Sequence, residues 1–169
     1  TSMLKAGAER DRILLDLMKQ VRDAALPMGV VANVSGNGYA TLLVQRALGP
    51  LVTASADDDE YGLELSRASA ALDRHVVVDA SSLLTVSGLE DTELLGHFTR
   101  VVVAAATLRD IHRAVHDIRS LAGSPGRMGW DPNEGRIRIS ETSTEEFVRQ
   151  LTRAVALDAY ATTLPVGTP

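Results

Sequence analysis

One aspartate stands where an apolar strand should end, in the stretch RHVVVDASSLL of residues 74–84. Three consecutive valines, β-branched and uncharged, predict a strand at 75–79. An unbroken apolar run of this kind favours a strand buried on both faces of a parallel sheet. Because ligands of open α/β sheets bind outside the carboxyl ends of the strands, a central strand would present Asp79 at the ligand-facing edge. A carboxylate in that position is a hard oxygen ligand for a divalent cation.

The same aspartate has a simpler role open to it. An aspartate that precedes a helix can cap it by accepting a hydrogen bond from an amide of the first turn, here that of Ser82 or Leu83. Capping and cation binding are compatible, so both interpretations stay open. Ser81 and Ser82 follow after one alanine and are candidate ligand-binding residues. They lie outside any Gly-x-Ser-x-Gly sequence of the kind that activates a nucleophilic serine.

Residues 75–111, HVVVDASSLLTVSGLEDTELLGHFTRVVVAAATLRDI, resemble the opening of a PIN-type domain, a metal-dependent nuclease fold. In that family an apolar strand ends in Asp, small residues follow on a helix, and a second strand leads to a helix with an acidic residue. The second strand here is 101–105, and the acidic residue is Asp110. The resemblance implies that Asp79 and Asp110 are catalytic residues that hold Mg²⁺ or Mn²⁺ for the hydrolysis of RNA.

The sequence departs from the PIN pattern in two ways. The family usually has Glu where this chain has Asp110. After residue 122 no acidic residue follows a predicted strand, so we expect the second half of the fold to be absent or rebuilt. Since metal-assisted phosphodiester hydrolysis needs several converging carboxylates, a PIN-like domain without activity is the alternative prediction.

Part of the same stretch also resembles a second family. Residues 74–95 are similar to the STAS pattern of anti-sigma-factor antagonists, in which an apolar strand ends near Asp and Ser-Gly-Leu follows. In that family Ser87 would be a phosphorylation site. The alternative to a nuclease is thus a non-catalytic binding or regulatory module, PIN-like or STAS-like, that contacts other domains of a larger bacterial protein.

Three other polar groups are weaker candidates. The glycine turn in VSGNGYAT, residues 34–41, could present backbone amides to a phosphate, with Asn37 and Gly38 as ligand-binding residues, but it matches no phosphate-loop pattern. Residues 57–60 are four consecutive acids, typical of a solvated loop or a helix N-terminus. His112 and His116 share one face of a predicted helix and could pair on a metal, although flanking arginines favour a solvated face.

Composition limits the function classes further. The 169 residues carry a formal net charge of −5, so the chain has no strongly basic surface for nucleic acid beyond a local patch. Aromatic residues make up 4%, which argues against base-stacking platforms. The absence of cysteine excludes disulfides and thiolate metal sites, and fits the cytoplasm. No apolar run approaches the ~18 residues of a membrane span.

Strands that alternate with helices predict a three-layer α/β/α fold with a mainly parallel sheet of about four strands. We expect one domain over residues 1–169, cut from a longer protein. Its parts would be N-terminal βα units at 8–73, a PIN-like core at 74–122, and a β-hairpin with a final helix at 123–160. The predicted strands include 29–33 and 51–54, Thr107 is the predicted cap of a helix at 108–121, and residues 161–169 are predicted to be a frayed tail.

Overall fold

The computed structural model describes residues 2–23, 26–45, 57–87, 92–122, 127–131, 134–140 and 142–167. Its helices are α1 (Ser2–Arg22), α2 (Met28–Ser35), α3 (Tyr39–Gln45), α4 (Asp58–Ala71), α5 (Ala80–Ser87), α6 (Ala105–Ser120) and α7 (Thr144–Thr163), with a 3-10 helix at Thr92–His97. Its strands are β1 (His75–Val78), β2 (Arg100–Ala104), β3 (Arg127–Asp131), β4 (Arg136–Ser140) and β5 (Val166–Gly167). The chain is thus a mixed α/β protein, as predicted.

A parallel sheet of three strands in the order β1-β2-β5 lies beside the helices. Val78 of β1 pairs with Val103 of β2, and Val103 pairs in turn with Val166 of β5. In the described part of the chain β2 is therefore central and β1 lies at the edge. The tail predicted to be frayed instead forms β5, because its backbone completes the free side of β2.

The two faces of the sheet differ in burial. Val103 is fully buried, and its neighbour Val78 packs against the same core. Val77 points to the opposite face and is 68% exposed. The prediction that β1 is buried on both faces is therefore wrong, and within the described residues the core lies on one face only. Periodicity could not reveal this, since an all-valine strand reads the same whichever face is covered.

Helices α6 and α7 form the centre of the core. The apolar residues of α6 recur at the helical period, and those that are buried are Ile111, Ala114, Val115 and Ile118. Helix α6 begins directly after Ala104, without a side-chain cap, so Thr107 lies inside the helix and is not its cap. In α7 the predicted cap is confirmed: the hydroxyl of Ser143 accepts a hydrogen bond from the amide of Glu146 at 3.1 Å.

The predicted strand at 29–33 is wrong, because these residues belong to α2. Met28, Val31 and Ala32 are buried at helical spacing, and Gly36 ends the helix with a φ of 72°. A short apolar run is compatible with either a strand or a helix, and burial against α3 selects the helix. The predicted strand at 51–54 lies outside the described residues, so the described elements between residues 2 and 71 are all helical.

The hairpin predicted near the C-terminus is confirmed. Strands β3 and β4 are antiparallel, with Arg127 opposite Ser140 and Asp131 opposite Arg136. The turn between them uses Gly135, whose φ of 62° is unfavourable for other residues.

None of the helices built from the described residues combines the length and the apolar composition that crossing a bilayer requires.

The core predicts a contrast between two residues of α7. Leu157 is fully buried, whereas Val155 on the same helix is 41% exposed. Leu157→Ala should lower the free energy of unfolding by about 2–5 kcal/mol, because it removes buried methyl groups and leaves a cavity. Val155→Ala should change it by less than about 1 kcal/mol. Urea denaturation followed by circular dichroism measures both, and equal losses would contradict the described packing of α7.

Candidate functional site

Asp79 follows β1 directly and caps α5. Its Oδ1 accepts a hydrogen bond from the amide of Ser82 at 2.8 Å, and its backbone carbonyl accepts one from the amide of Leu83 at 3.0 Å. The hydroxyl of Ser81 donates to the same carboxylate, at 2.9 Å from Oδ1 and 2.8 Å from Oδ2. The capping role that the sequence offered is therefore present. Ser81 and Ser82 also lie beside Asp79 as expected.

The surroundings of Asp79 keep it charged. Partial burial of the carboxylate by itself raises the pKa. The hydrogen bonds from the amide and hydroxyl of Ser82 and from the hydroxyl of Ser81 outweigh that effect, and the pKa lies below its ordinary value. At neutral pH an exposed, ionised carboxylate thus stands at the carboxyl end of β1, which is the electrostatic requirement for a cation ligand.

Asp110 caps a different helix. It lies in the second turn of α6, and its Oδ2 accepts a hydrogen bond from the amide of Ala40 at 2.8 Å. Ala40 is the second residue of α3, so the carboxylate meets the positive end of that helix. Gly38 makes the approach feasible, because a Cβ at this position would lie 2.6 Å from Oδ1 of Asp110. Sequence reasoning named Asp110 and Gly38 separately and missed their contact.

A second aspartate joins α6 to α3. The hydroxyl of Thr41, which is buried, donates to Oδ2 of Asp117 at 3.3 Å. Arg113 lies 3.5 Å from the same oxygen through its Nε. Asp110 and Asp117 are seven residues apart, two helical turns, and therefore lie on one side of α6. That spacing was a signal in the sequence, but it could not identify α3 as the partner.

The turn that holds Asn37 connects two helices instead of a strand and a helix. The amide of Asn37 donates to the hydroxyl of Ser35 at 3.2 Å, and Asn37 itself is exposed. The amide of Ala40, three residues further along the chain, donates to the carboxylate of Asp110. Ligand binding by Asn37 and Gly38 stays a prediction, and a phosphate there would meet the carboxylate of Asp110.

The two histidines of α6 have different surroundings. His112 pairs through Nδ1 with Oδ1 of Asp158 on α7. The side chain of His116 is 84% exposed, and its Nδ1 lies 3.8 Å from Asp117. Among the residues that the structure describes, no group of three or more His, Cys, Asp or Glu side chains has a geometry that could hold a metal ion. Both histidine side chains are exposed, as expected for the solvated face predicted for them, and a metal shared by the two stays a prediction.

Comparison with known families supplies the decisive observation. Residues 77–163 match the model of the PIN domain associated with the TPR-GreAB-C-PIN system, just over half of the chain. The chain belongs to this PIN-domain family. The match runs from β1 to the last residue of α7, so the resemblance seen at 75–111 is confirmed. The match extends past residue 122, into the part of the chain where we expect the PIN fold to be absent or rebuilt. No curated protein and no solved structure gives a significant match.

The match favours the PIN interpretation over the STAS one. PIN domains are generally associated with nuclease activity and with divalent metal ions. Ser87, the STAS candidate, is the last residue of α5 and donates from its hydroxyl to the carbonyl of Leu84 at 3.0 Å. That bond closes the end of α5, and phosphorylation of Ser87 stays a prediction.

The contact between Gly38 and Asp110 can be tested by a double-mutant cycle. Gly38→Ala should destabilise the protein by about 1–2 kcal/mol, because the new methyl group displaces a carboxylate held by a helix amide. In an Asp110→Ala background the same substitution should cost much less. Gly29→Ala is the matched control, since a Cβ there meets nothing within 4 Å in α2. It should stabilise the protein by roughly 0.5–1 kcal/mol. Additive losses for Gly38 and Asp110 would contradict the contact.

The cap formed by Asp79 predicts a dependence on pH. Asp79→Ala should lower the free energy of unfolding by about 0.5–2 kcal/mol at pH 7, whereas Asp79→Asn, which can still cap, should change it little. Because folding lowers the pKa of Asp79, the charged form stabilises the protein above its unfolded pKa of about 3.9. The loss caused by Asp79→Ala should therefore shrink as the pH falls through the lower folded value. Chemical denaturation at pH 7 and below pH 4 measures it, and a loss that grew in acid would refute this assignment.

Proposed function

We propose that this PIN domain is a nuclease that cleaves RNA phosphodiesters in the cytoplasm with Mg²⁺ or Mn²⁺ bound at Asp79. The observation that carries the proposal is the ionised, exposed carboxylate of Asp79 at the carboxyl end of β1, inside the stretch that matches the PIN family. Open α/β sheets bind their ligands at that edge. The proposal needs both the PIN-family match and the position of Asp79 at the end of β1, because an aspartate at the end of a strand is common in α/β proteins.

Asp79 has the donor chemistry that a hard cation needs. Mg²⁺ and Mn²⁺ prefer carboxylate and hydroxyl oxygens to nitrogen or sulfur ligands. Oδ1 is engaged by the backbone amide of Ser82, whereas the partner of Oδ2 is the hydroxyl of Ser81, which can rotate. Oδ2 is therefore the oxygen that could turn to a cation without the loss of the helix cap. A cation held there would stabilise the charge that develops on the phosphate and activate the attacking water.

Asp110 is the second ligand that this proposal names. It is held against α3 by the amide of Ala40, and its Oδ1 lies toward Gly38. A role at the cation would use Oδ1 or would require the cap on α3 to open. Cation binding by Asp110 therefore requires more rearrangement than cation binding by Asp79. Substitution of each aspartate alone tests the two roles separately.

A second function is favoured by a specific observation. Asp79 and Asp110 each cap a helix, so both acids have a structural reason to be present without any chemistry. A PIN domain of this kind would be a binding or regulatory module. The family is described by its association with a TPR-GreAB-C-PIN system, and contacts with other domains of a parent protein would be its task.

A cleavage assay with a matched control separates the two functions. Single-stranded RNA incubated with the protein and Mn²⁺ should be cut, and Asp79→Asn should reduce the rate by at least about 100-fold because the cation loses a charged ligand. Asp73→Asn removes an acid at the opposite end of the same strand and should leave the rate unchanged. Chelation of the metal should abolish cleavage by every variant.

Thermal unfolding at increasing Mn²⁺ concentration is an independent test of cation binding. The wild-type melting temperature should rise with the metal concentration, and that of Asp79→Asn should not. Cleavage that survives in a folded Asp79→Asn variant would rule out this site. A wild-type protein that neither cuts RNA nor gains stability from Mn²⁺ would establish the binding module instead.

A further inference from the structure

The outer face of α6 is a basic stripe. Its side chains are all exposed, and at 100° per residue they fall within roughly 120° of the helix circumference. The members, here called the α6 stripe, are Arg109, His112, Arg113, His116 and Arg119. From the first member to the last, the stripe spans about 15 Å of helix at 1.5 Å per residue. A chain with a formal net charge of −5 thus concentrates positive side chains along one helix.

The two acids of α6 lie to one side of the stripe. Asp110 accepts a hydrogen bond from the amide of Ala40, and Asp117 accepts one from the hydroxyl of Thr41, so both are turned toward α3. The apolar residues of the helix face the core on the side opposite the stripe. Since α6 has no other acids, the outward face itself carries no negative side chain.

The ends of the stripe are its least neutralised part. Among the described residues, Arg109 and Arg119 have no carboxylate within salt-bridge distance. In the middle, Arg113 lies 3.5 Å from Asp117, and its side chain is 61% exposed. An ion pair that is open to solvent contributes little, so such an arginine can also bind a second anion. The stripe therefore offers several positive groups in a line to an extended, negatively charged ligand.

The stripe leads to the edge of the sheet that carries Asp79. Val78 pairs with Val103, so Asp79 and Ala105, the first residue of α6, both follow the carboxyl edge of the sheet. Arg109 lies in the second turn of α6. A polyanion laid along the helix therefore has one end at the edge where the cation is proposed to bind.

We infer that the α6 stripe binds the phosphate backbone of single-stranded RNA and guides it toward Asp79. Guanidinium groups match phosphate oxygens in charge and in hydrogen-bond geometry. Backbone contacts of this kind supply affinity without base stacking, which suits a chain whose residues are only 4% aromatic. The inference rests on the proposed action on RNA, because that action selects RNA among polyanions.

Binding can be measured separately from cleavage. Fluorescence anisotropy with a labelled single-stranded RNA, with all metal chelated, should show binding that weakens as salt is added. Arg109→Ala and Arg119→Ala should each raise the dissociation constant at least about threefold, because each removes a phosphate contact. Each should also lower the slope of log affinity against log salt by about 0.7. Arg67→Ala is the matched control, an exposed arginine of α4, and should change neither quantity.

The outcomes separate this inference from the proposed function. If the wild type does not bind RNA at low salt, or if all three alanine variants bind it equally well, the inference is overturned. Cleavage that is lost in Asp79→Asn while these variants bind RNA like the wild type would overturn the stripe alone. RNA binding through Arg109 and Arg119 in a protein that never cuts RNA would sustain the stripe and refute the nuclease.

A competition experiment tests the choice of RNA over an acidic protein segment. Unlabelled RNA should displace the labelled strand at a lower concentration of negative charge than poly-glutamate does. Equal displacement by the two polymers would overturn the assignment to RNA and favour an acidic segment of another protein. Circular dichroism checks that the arginine variants keep the helix content of the wild type.

Discussion

The burial of one apolar stripe of α6 is the constraint on which the rest of the PIN domain depends. Its members contact the sheet, α3 and α7, and they are Ile111, Ala114, Val115 and Ile118. Once this stripe faces inward, the rotation of the helix is fixed, because the other side chains follow at 100° per residue. Asp110 is then turned toward the start of α3, and His112 toward Asp158 of α7. The polar contacts of the site are consequences of how the apolar core packs.

Both candidate acids accept hydrogen bonds from backbone amides at the start of a helix. Asp79 holds the start of α5, and Asp110 holds the start of α3, where the helix dipole also favours a negative charge. The pKa of Asp79 is lowered by these hydrogen bonds, so its carboxylate stays ionised, which also suits it to a cation. Helix capping and cation binding both favour a negatively charged carboxylate. A PIN fold without nuclease activity would therefore still need these residues as helix caps. Geometry around Oδ2 of Asp79 and Oδ1 of Asp110, and not charge, separates the two roles.

The elements that the sequence predicted well are those with a strong local signal. The valine runs of β1 and β2 and the helical periods of α6 and α7 needed no tertiary information. The wrong predictions concern segments whose local sequence pattern does not distinguish one secondary structure from another. The apolar run at 29–33 fits either a strand or a helix, and packing against α3 decided in favour of α2. Residues Val166 and Gly167 carry no strand pattern, and only the free side of β2 makes them a strand.

The sequence by itself determined that this chain has a parallel sheet, that an acid follows its valine strand, and that a PIN-type pattern surrounds that acid. These features are local, because they depend on residue type and on spacing along the chain. Tertiary structure alone decided that β1 lies at the edge with Val77 exposed, that Asp110 contacts α3 beside Gly38, and that no residue of α4 is buried by the described part of the chain. Those facts depend on which helices and strands contact each other in the folded chain. The burial of apolar side chains determines these contacts for the whole molecule together.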